Sequence, residues 1–178
     1  MGFRDKYFIM NKYIENNTRY VAVAGGFNDE TKTISMSMTK LGENHNTQYL
    51  GLFPKNLNEK YLQSKHIAGE IYATMSAINQ AIKDGIPNIV IIYNYVGVER
   101  WATKEWRAES PIAKRYTEYL KQAQKYIDIQ YVKLDKEDEL FTTIQNSINQ
   151  FSKDNMNETN TWKISEKDIP LEKEATAV

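Results

Sequence analysis

The sequence predicts a single α/β domain with a mixed sheet, its elements in the order βββ-α-β-α-β-α. Three observations lead there. Short β-prone runs joined by turn-length connections open the body, which suits an antiparallel meander. A helical stripe follows, with Ile67, Ile71, Met75, Ile78 and Ile82 spaced 4, 4, 3 and 4 apart. Behind it stands Asn88–Tyr93, short and almost continuously apolar, as a strand buried on both faces should be.

Each element has its own local reason. Arg19–Phe27 is a small-residue strand that ends at Asn28-Asp-Glu-Thr31, a tight-turn sequence. Thr33–Met38 alternates, Ile34, Met36 and Met38 on one face and Ser35 and Ser37 on the other, as a half-buried strand. Gly42–Asn46 is a second turn, and Gln48–Phe53 a third strand. The striped helix stops at Asp84-Gly85-Ile86-Pro87, with Gly85 suited to its C-cap. Helical patterns then cover 96–106 and 111–127, the second carrying Ile112, Tyr116, Tyr119, Leu120, Ala123 and Ile127 in register. Ile129–Leu134 reads as a strand, and Leu140, Phe141, Ile144, Ile148 and Phe151 mark a closing helix. The expected organisation is a short lead-in over 1–18, the domain over 19–151, and a polar, flexible or loosely docked tail over 152–178 anchored by Trp162 and Ile164.

Composition excludes several classes. The chain has 178 residues, 41% hydrophobic and 26% charged, which is normal for a soluble domain with a core. It has 23 Lys+Arg against 23 Asp+Glu, so binding through bulk basicity is excluded while a local basic face is not. It contains no cysteine, which excludes disulfides, thiolate zinc sites and a cysteine nucleophile. Two histidines, His45 and His66, are too few for a histidine-rich metal site and read as turn and helix-start residues. No run reaches the roughly 20 apolar residues of a membrane span, and the start lacks a signal-peptide pattern, so the expected location is cytoplasmic.

Four strings, in order on matching elements, resemble the type 1 ribonuclease H family. Val23-Ala24-Gly25-Gly26-Phe27-Asn28 looks like the family's V-D-G-S-Y-N. Ile67-Ala-Gly-Glu70-Ile71 looks like its A-G-E-L at the start of the first helix. Ile91-Ile-Tyr-Asn94-Tyr stands in place of the strand that ends in Asp, and Gly97-Val-Glu-Arg-Trp101 through Trp106 to Pro111 matches bacterial members with paired tryptophans. The resemblance spans roughly 19–151 and implies a ribonuclease H-like fold with a five-stranded mixed sheet.

Ribonucleases H cleave the RNA strand of an RNA/DNA hybrid with two divalent ions held by four clustered acids. Hard cations need anionic oxygens, and two ions about 4 Å apart repel unless carboxylates neutralise them. The resemblance implies Ala24 at the first acidic position, Glu70 at the second and Asn94 at the third. By helix register Asp138 is the candidate for the fourth, the family's histidine-containing loop being absent between Lys133 and Leu140. Losing two anionic charges should weaken binding of the metal pair by several kcal/mol. No catalytic residue and no cofactor are therefore expected. Mg²⁺ or Mn²⁺ would matter only to a residual nuclease, with Glu70 and Asp138 its remaining ligand candidates. Asp29, at the exit of the first strand, reads as a turn residue.

Binding is a separate matter. Trp101 and Trp106 interleave with Lys104, Arg107, Lys114 and Arg115, a pattern suited to a phosphate backbone. From Tyr95 to Lys133 there are eight Lys/Arg against five Asp/Glu, so the neutral total hides a basic region. The competing role for these residues is packing of the helix on the sheet with a solvated charged face. Asn28 joins the nucleic-acid set through its matching string. The leading expectation is a non-cleaving ribonuclease H-like protein that binds a hybrid, another duplex or a single strand. Alternatives are a protein-interaction module using the twelve tyrosines and the tail, or a divergent metal-dependent nuclease.

Overall fold

The computed structural model describes residues 17–42, 46–155 and 164–169. The elements are β1 (Thr18–Asn28), β2 (Thr33–Lys40), β3 (Asn46–Leu52), α1 (Lys55–Tyr61), α2 (His66–Lys83), β4 (Asn88–Tyr93), α3 (Gly97–Arg100), α4 (Pro111–Ala123), β5 (Asp128–Lys133), α5 (Glu139–Asp154) and β6 (Ile164–Ile169). The sheet order is β5-β4-β1-β2-β3-β6. β1, β4 and β5 run parallel, while β1, β2, β3 and β6 pair antiparallel. The five expected strands are present as a mixed sheet, and the meander ahead of a helix-linked parallel half has the expected topology.

A core lies on each face of the sheet. On one side α2 and α4 bury Val21, Val23, Ile34, Ile71, Ile78 and Ile112. On the other, α5 places Leu140, Ile144 and Ile148 over Ala22, Ala24 and Ile92. The striped helix ends where expected: Gly85 adopts φ +73°, and its N–H donates to the Ile82 carbonyl at 3.1 Å. The first turn also forms as expected, Asn28 Oδ1 accepting from the N–H groups of Glu30 and Thr31.

Several expectations need correction. Ser35 and Ser37 do not face water; both are buried, because the face of β2 they occupy is closed over. The helical pattern at 96–106 yields only the single turn Gly97–Arg100, after which Lys104 takes φ +68° and the chain folds back so that Trp106 N–H donates to the Arg100 carbonyl. Helix α4 ends at Ala123, short of 127. Within 152–178, α5 continues to Asp154, and Ile164–Ile169 forms a sixth strand against β3, Asn46 opposite Ile169. Residues 1–16 of the lead-in, residues 43–45 of the second turn with His45 among them, and Trp162 lie outside the described residues. Among the described residues no helix is long and apolar enough to cross a membrane.

Candidate functional site

Two glycines set the geometry of the site. A Cβ on Gly25 would lie 2.0 Å from the His66 carbonyl oxygen and 2.4 Å from the Glu70 nitrogen. A Cβ on Gly69 would lie 2.1 Å from the Ser35 carbonyl oxygen. The first turn of α2 therefore rests backbone to backbone on β1 and β2, which no larger residue allows. That contact drives Glu70, the next residue, into the interior beside the ends of β1 and β4.

Glu70 is only 3% exposed. Its Oε2 accepts two main-chain N–H groups, from Asn94 at 3.1 Å and Tyr95 at 2.9 Å. Burial pushes its pKa up to about 7, although the two N–H donors and the Lys133 ammonium pull the other way. The carboxylate thus fastens the loop after β4 to α2.

The other matching positions also carry structural contacts. Ala24 is fully buried in the apolar cluster under α5. The Asn94 side-chain amide donates to the Leu134 carbonyl at 2.7 Å, joining the ends of β4 and β5. Asp138 is the N-cap of α5, its Oδ1 accepting the Leu140 N–H at 3.0 Å. Gln145, which no sequence signal singled out, donates to the Gly25 carbonyl at 3.2 Å and ties α5 to β1. Among the described residues no group of three His, Cys, Asp or Glu is placed to hold a metal ion. A pair of Mg²⁺ or Mn²⁺ ions does not fit this set, because Ala24 offers no ligand atom, Asn94 no charge, and Asp138 is engaged at a helix start.

The aromatic and basic segment lies beyond β4. Tyr95, Trp101 and Trp106 pack as a trio, with ring centroids 5.7, 6.1 and 5.8 Å apart. Trp101 is buried, and the Arg100 guanidinium sits 5.4 Å from the Trp106 ring. Below them, Tyr93 donates to Glu99, and the buried Tyr116 hydroxyl donates to the Val98 carbonyl at 2.6 Å. The tryptophans therefore do hold this segment on the domain, the competing role. A cleft of about 520 Å³ nevertheless opens beside them, lined by Trp101, Lys104, Trp106, Arg107, Leu120 and Lys121 among others.

Lys104 and Arg107 are exposed at this cleft, whereas Lys114 and Arg115 are exposed on α4 and do not line it. Lys121 was missed, though it follows Lys114 by seven residues and hence shares its face of the helix. Asn28 is removed from both places. Its amide donates to Ser152 Oγ at 3.2 Å, in a separate cleft of about 550 Å³ that also contains Asp29 and Ser35. His66 begins α2 and is exposed; partial burial of its ring, Lys136 and Lys65 lower its pKa.

No family model and no curated protein matches the chain. Solved structures do. A ribonuclease H1 from the halophilic archaeon Halobacterium salinarum aligns at TM-score 0.57 and 12% identity, over 77% of this chain and 98% of its own. LC11 ribonuclease H1, solved in complex with an RNA/DNA hybrid, aligns at TM-score 0.55 and 11% identity, over 75% of this chain and 98% of its own. Together with the strand order and the helices on both faces of the sheet, these likenesses show that the chain has a ribonuclease H-like fold.

Proposed function

We propose that this protein binds a nucleic-acid duplex, an RNA/DNA hybrid foremost, and does not cleave it. The observation that carries the reading is the use of the Glu70 carboxylate to bind the Asn94 and Tyr95 N–H groups, with Ala24 and Asn94 adding no anionic oxygen beside it. Such a site lacks the charge that would gather two cations, so catalysis of the two-metal kind has no foundation here.

Support for binding comes from the cleft at Trp101 and Trp106, where exposed Lys104 and Arg107 are joined by Lys121. Cations beside aromatic rings suit a sugar–phosphate backbone with a base against the ring. The likeness to LC11 ribonuclease H1, itself solved with an RNA/DNA hybrid, makes that hybrid the first ligand to try. Direct binding over a range of salt tests the reading. Affinity for hybrid at about 50 mM salt that falls steeply with added salt supports it. No affinity for hybrid, duplex or single strand under that condition refutes it.

A further inference from the structure

Tyr95 is held from two sides. At its main chain, the N–H donates to Glu70 Oε2 at 2.9 Å, beside the Asn94 N–H at 3.1 Å. At its ring, it packs against both tryptophans, with centroids 5.7 Å from Trp101 and 6.1 Å from Trp106. Those two rings line the cleft of about 520 Å³, which neither Glu70 nor Tyr95 lines. Both ends of this connection are tight. Glu70 follows Gly69, where the first turn of α2 lies against the Ser35 main chain and cannot shift toward it. At the other end stands Gly97, the first residue of α3. A Cβ there would overlap the Tyr95 ring and lie 2.9 Å from Trp101 Cζ3, so both rings rest on bare main chain. The Tyr95 carbonyl also accepts the Val98 N–H at 3.0 Å, which ties the loop into α3.

We propose that Glu70 is a positioning residue for the tryptophan cleft, acting through Tyr95. Its carboxylate fixes the Tyr95 main chain, and the Tyr95 ring sets where Trp101 and Trp106 stand. The proposal rests on the nucleic-acid binding proposed for that cleft and deepens it. A carboxylate with no metal pair to hold thereby governs the binding surface from beneath. The physical reason is preorganisation. Rings already fixed in place lose little freedom when a base or sugar packs on them. Charge-assisted bonds to two N–H groups are strong enough to fix the loop, and an apolar side chain at 70 would leave both donors unmet. The loop would then turn those N–H groups toward water and carry the Tyr95 ring with it.

The test is a double-mutant cycle on hybrid affinity near 50 mM salt, in a Trp162→Phe background where Trp101 and Trp106 are the only tryptophans. Acrylamide quenching of their fluorescence is read on the free protein, with each variant kept below its unfolding transition. Glu70→Met keeps the bulk and removes the acceptor, and it should bind hybrid about tenfold more weakly and quench more readily. Glu70→Gln keeps an acceptor oxygen and should recover most of that affinity. Tyr95→Ala leaves the N–H in place and removes the ring, so it should weaken binding too. Adding Glu70→Met to Tyr95→Ala should then cost less than Glu70→Met does alone, because the route to the cleft is already cut. A general loss of stability would give additive losses instead. Glu70→Met that binds like the wild type overturns the proposal, as does Glu70→Gln that binds as weakly as Glu70→Met. Losses that add in full overturn it as well. Tyr95→Ala with wild-type affinity overturns it whether or not the methionine variant folds. In each of those cases the parent reading stands, whereas no binding by the wild type overturns both.

Discussion

Glu70 Oε2 lies 3.1 Å from the main-chain nitrogen of Asn94, two residues that the ribonuclease H resemblance places at acidic positions of a metal site. Their relationship here is that of acceptor and donor. A carboxylate bound by two N–H groups is stabilised as an anion, yet burial outweighs that stabilisation and lifts its pKa to about 7.

This sets a pH dependence. The folded pKa of about 7 exceeds the ordinary glutamate value of 4.5, so between those values the folded state holds more protons than the unfolded one. Stability contributed by the protonated group is fully present below about pH 4.5 and is lost as pH rises through 7. The full loss is on the order of 3 kcal/mol, since each tenfold difference in proton affinity between the two states is worth about 1.4 kcal/mol. Denaturant unfolding of wild type and Glu70→Gln from pH 4.5 to 8 should show the wild type losing stability relative to the variant across that window. Parallel curves would refute the claim.

The glycine contact makes a sharper prediction. Gly69→Ala would place its Cβ 2.1 Å from the Ser35 carbonyl oxygen, and backbone on both sides cannot yield as a side chain could. The expected cost is about 3 kcal/mol or more, at the upper end for overpacking. Thermal unfolding measures it, with Gly85→Ala as a contrast. Gly85 has open space around it and loses only its favourable positive φ, so it should cost about 1 kcal/mol.

Much of this fold was legible because periodicity reports burial. The stripe of α2 and the apolar run of β4 each allowed one placement, and Ala-Gly-Glu70 marked the site through its resemblance to the ribonuclease H string, the structure supplying the reason in the close contact at Gly69. Other features leave weaker signals. Serine is as much at home in water as under a tightly packed helix, so Ser35 and Ser37 could not be assigned from alternation alone. Lys104 takes a positive φ without glycine, so nothing in the sequence stops the 96–106 pattern after one turn. Ile-Ser-Glu-Lys-Asp-Ile169 reads as polar tail, and it forms an outer strand of the sheet, where charged residues are common. The contacts of Asn94 and Asp138 were not legible at all, because one amide or carboxylate serves a metal, a carbonyl or a helix start equally well.

The closed polar face of β2 offers a gain in stability. Thr39 is buried, and its hydroxyl has no hydrogen-bond partner among the described residues. Thr39→Val keeps the shape and removes the unpaired group, so it should stabilise the fold by about 1 kcal/mol, read as a higher denaturant midpoint with unchanged slope. An unchanged or lower midpoint would mean that the hydroxyl is satisfied in solution.

Restoring an acid at the first position should harm the fold. Ala24 is fully buried in the cluster that holds Leu140, Ile144 and Ile148, so Ala24→Asp puts a carboxyl into an apolar cluster. A loss of about 3 kcal/mol or more at neutral pH is expected, with no recovery on adding Mg²⁺. Recovery of the melting temperature by Mg²⁺ would show that a metal site can still assemble.

The most direct measurement incubates the wild-type chain with an end-labelled RNA/DNA hybrid near 50 mM salt, with Mg²⁺ or Mn²⁺, and follows binding and strand length in the same sample. A retarded complex that contains full-length RNA is expected. Shortened RNA produced by the wild type and absent with Glu70→Gln would contradict it.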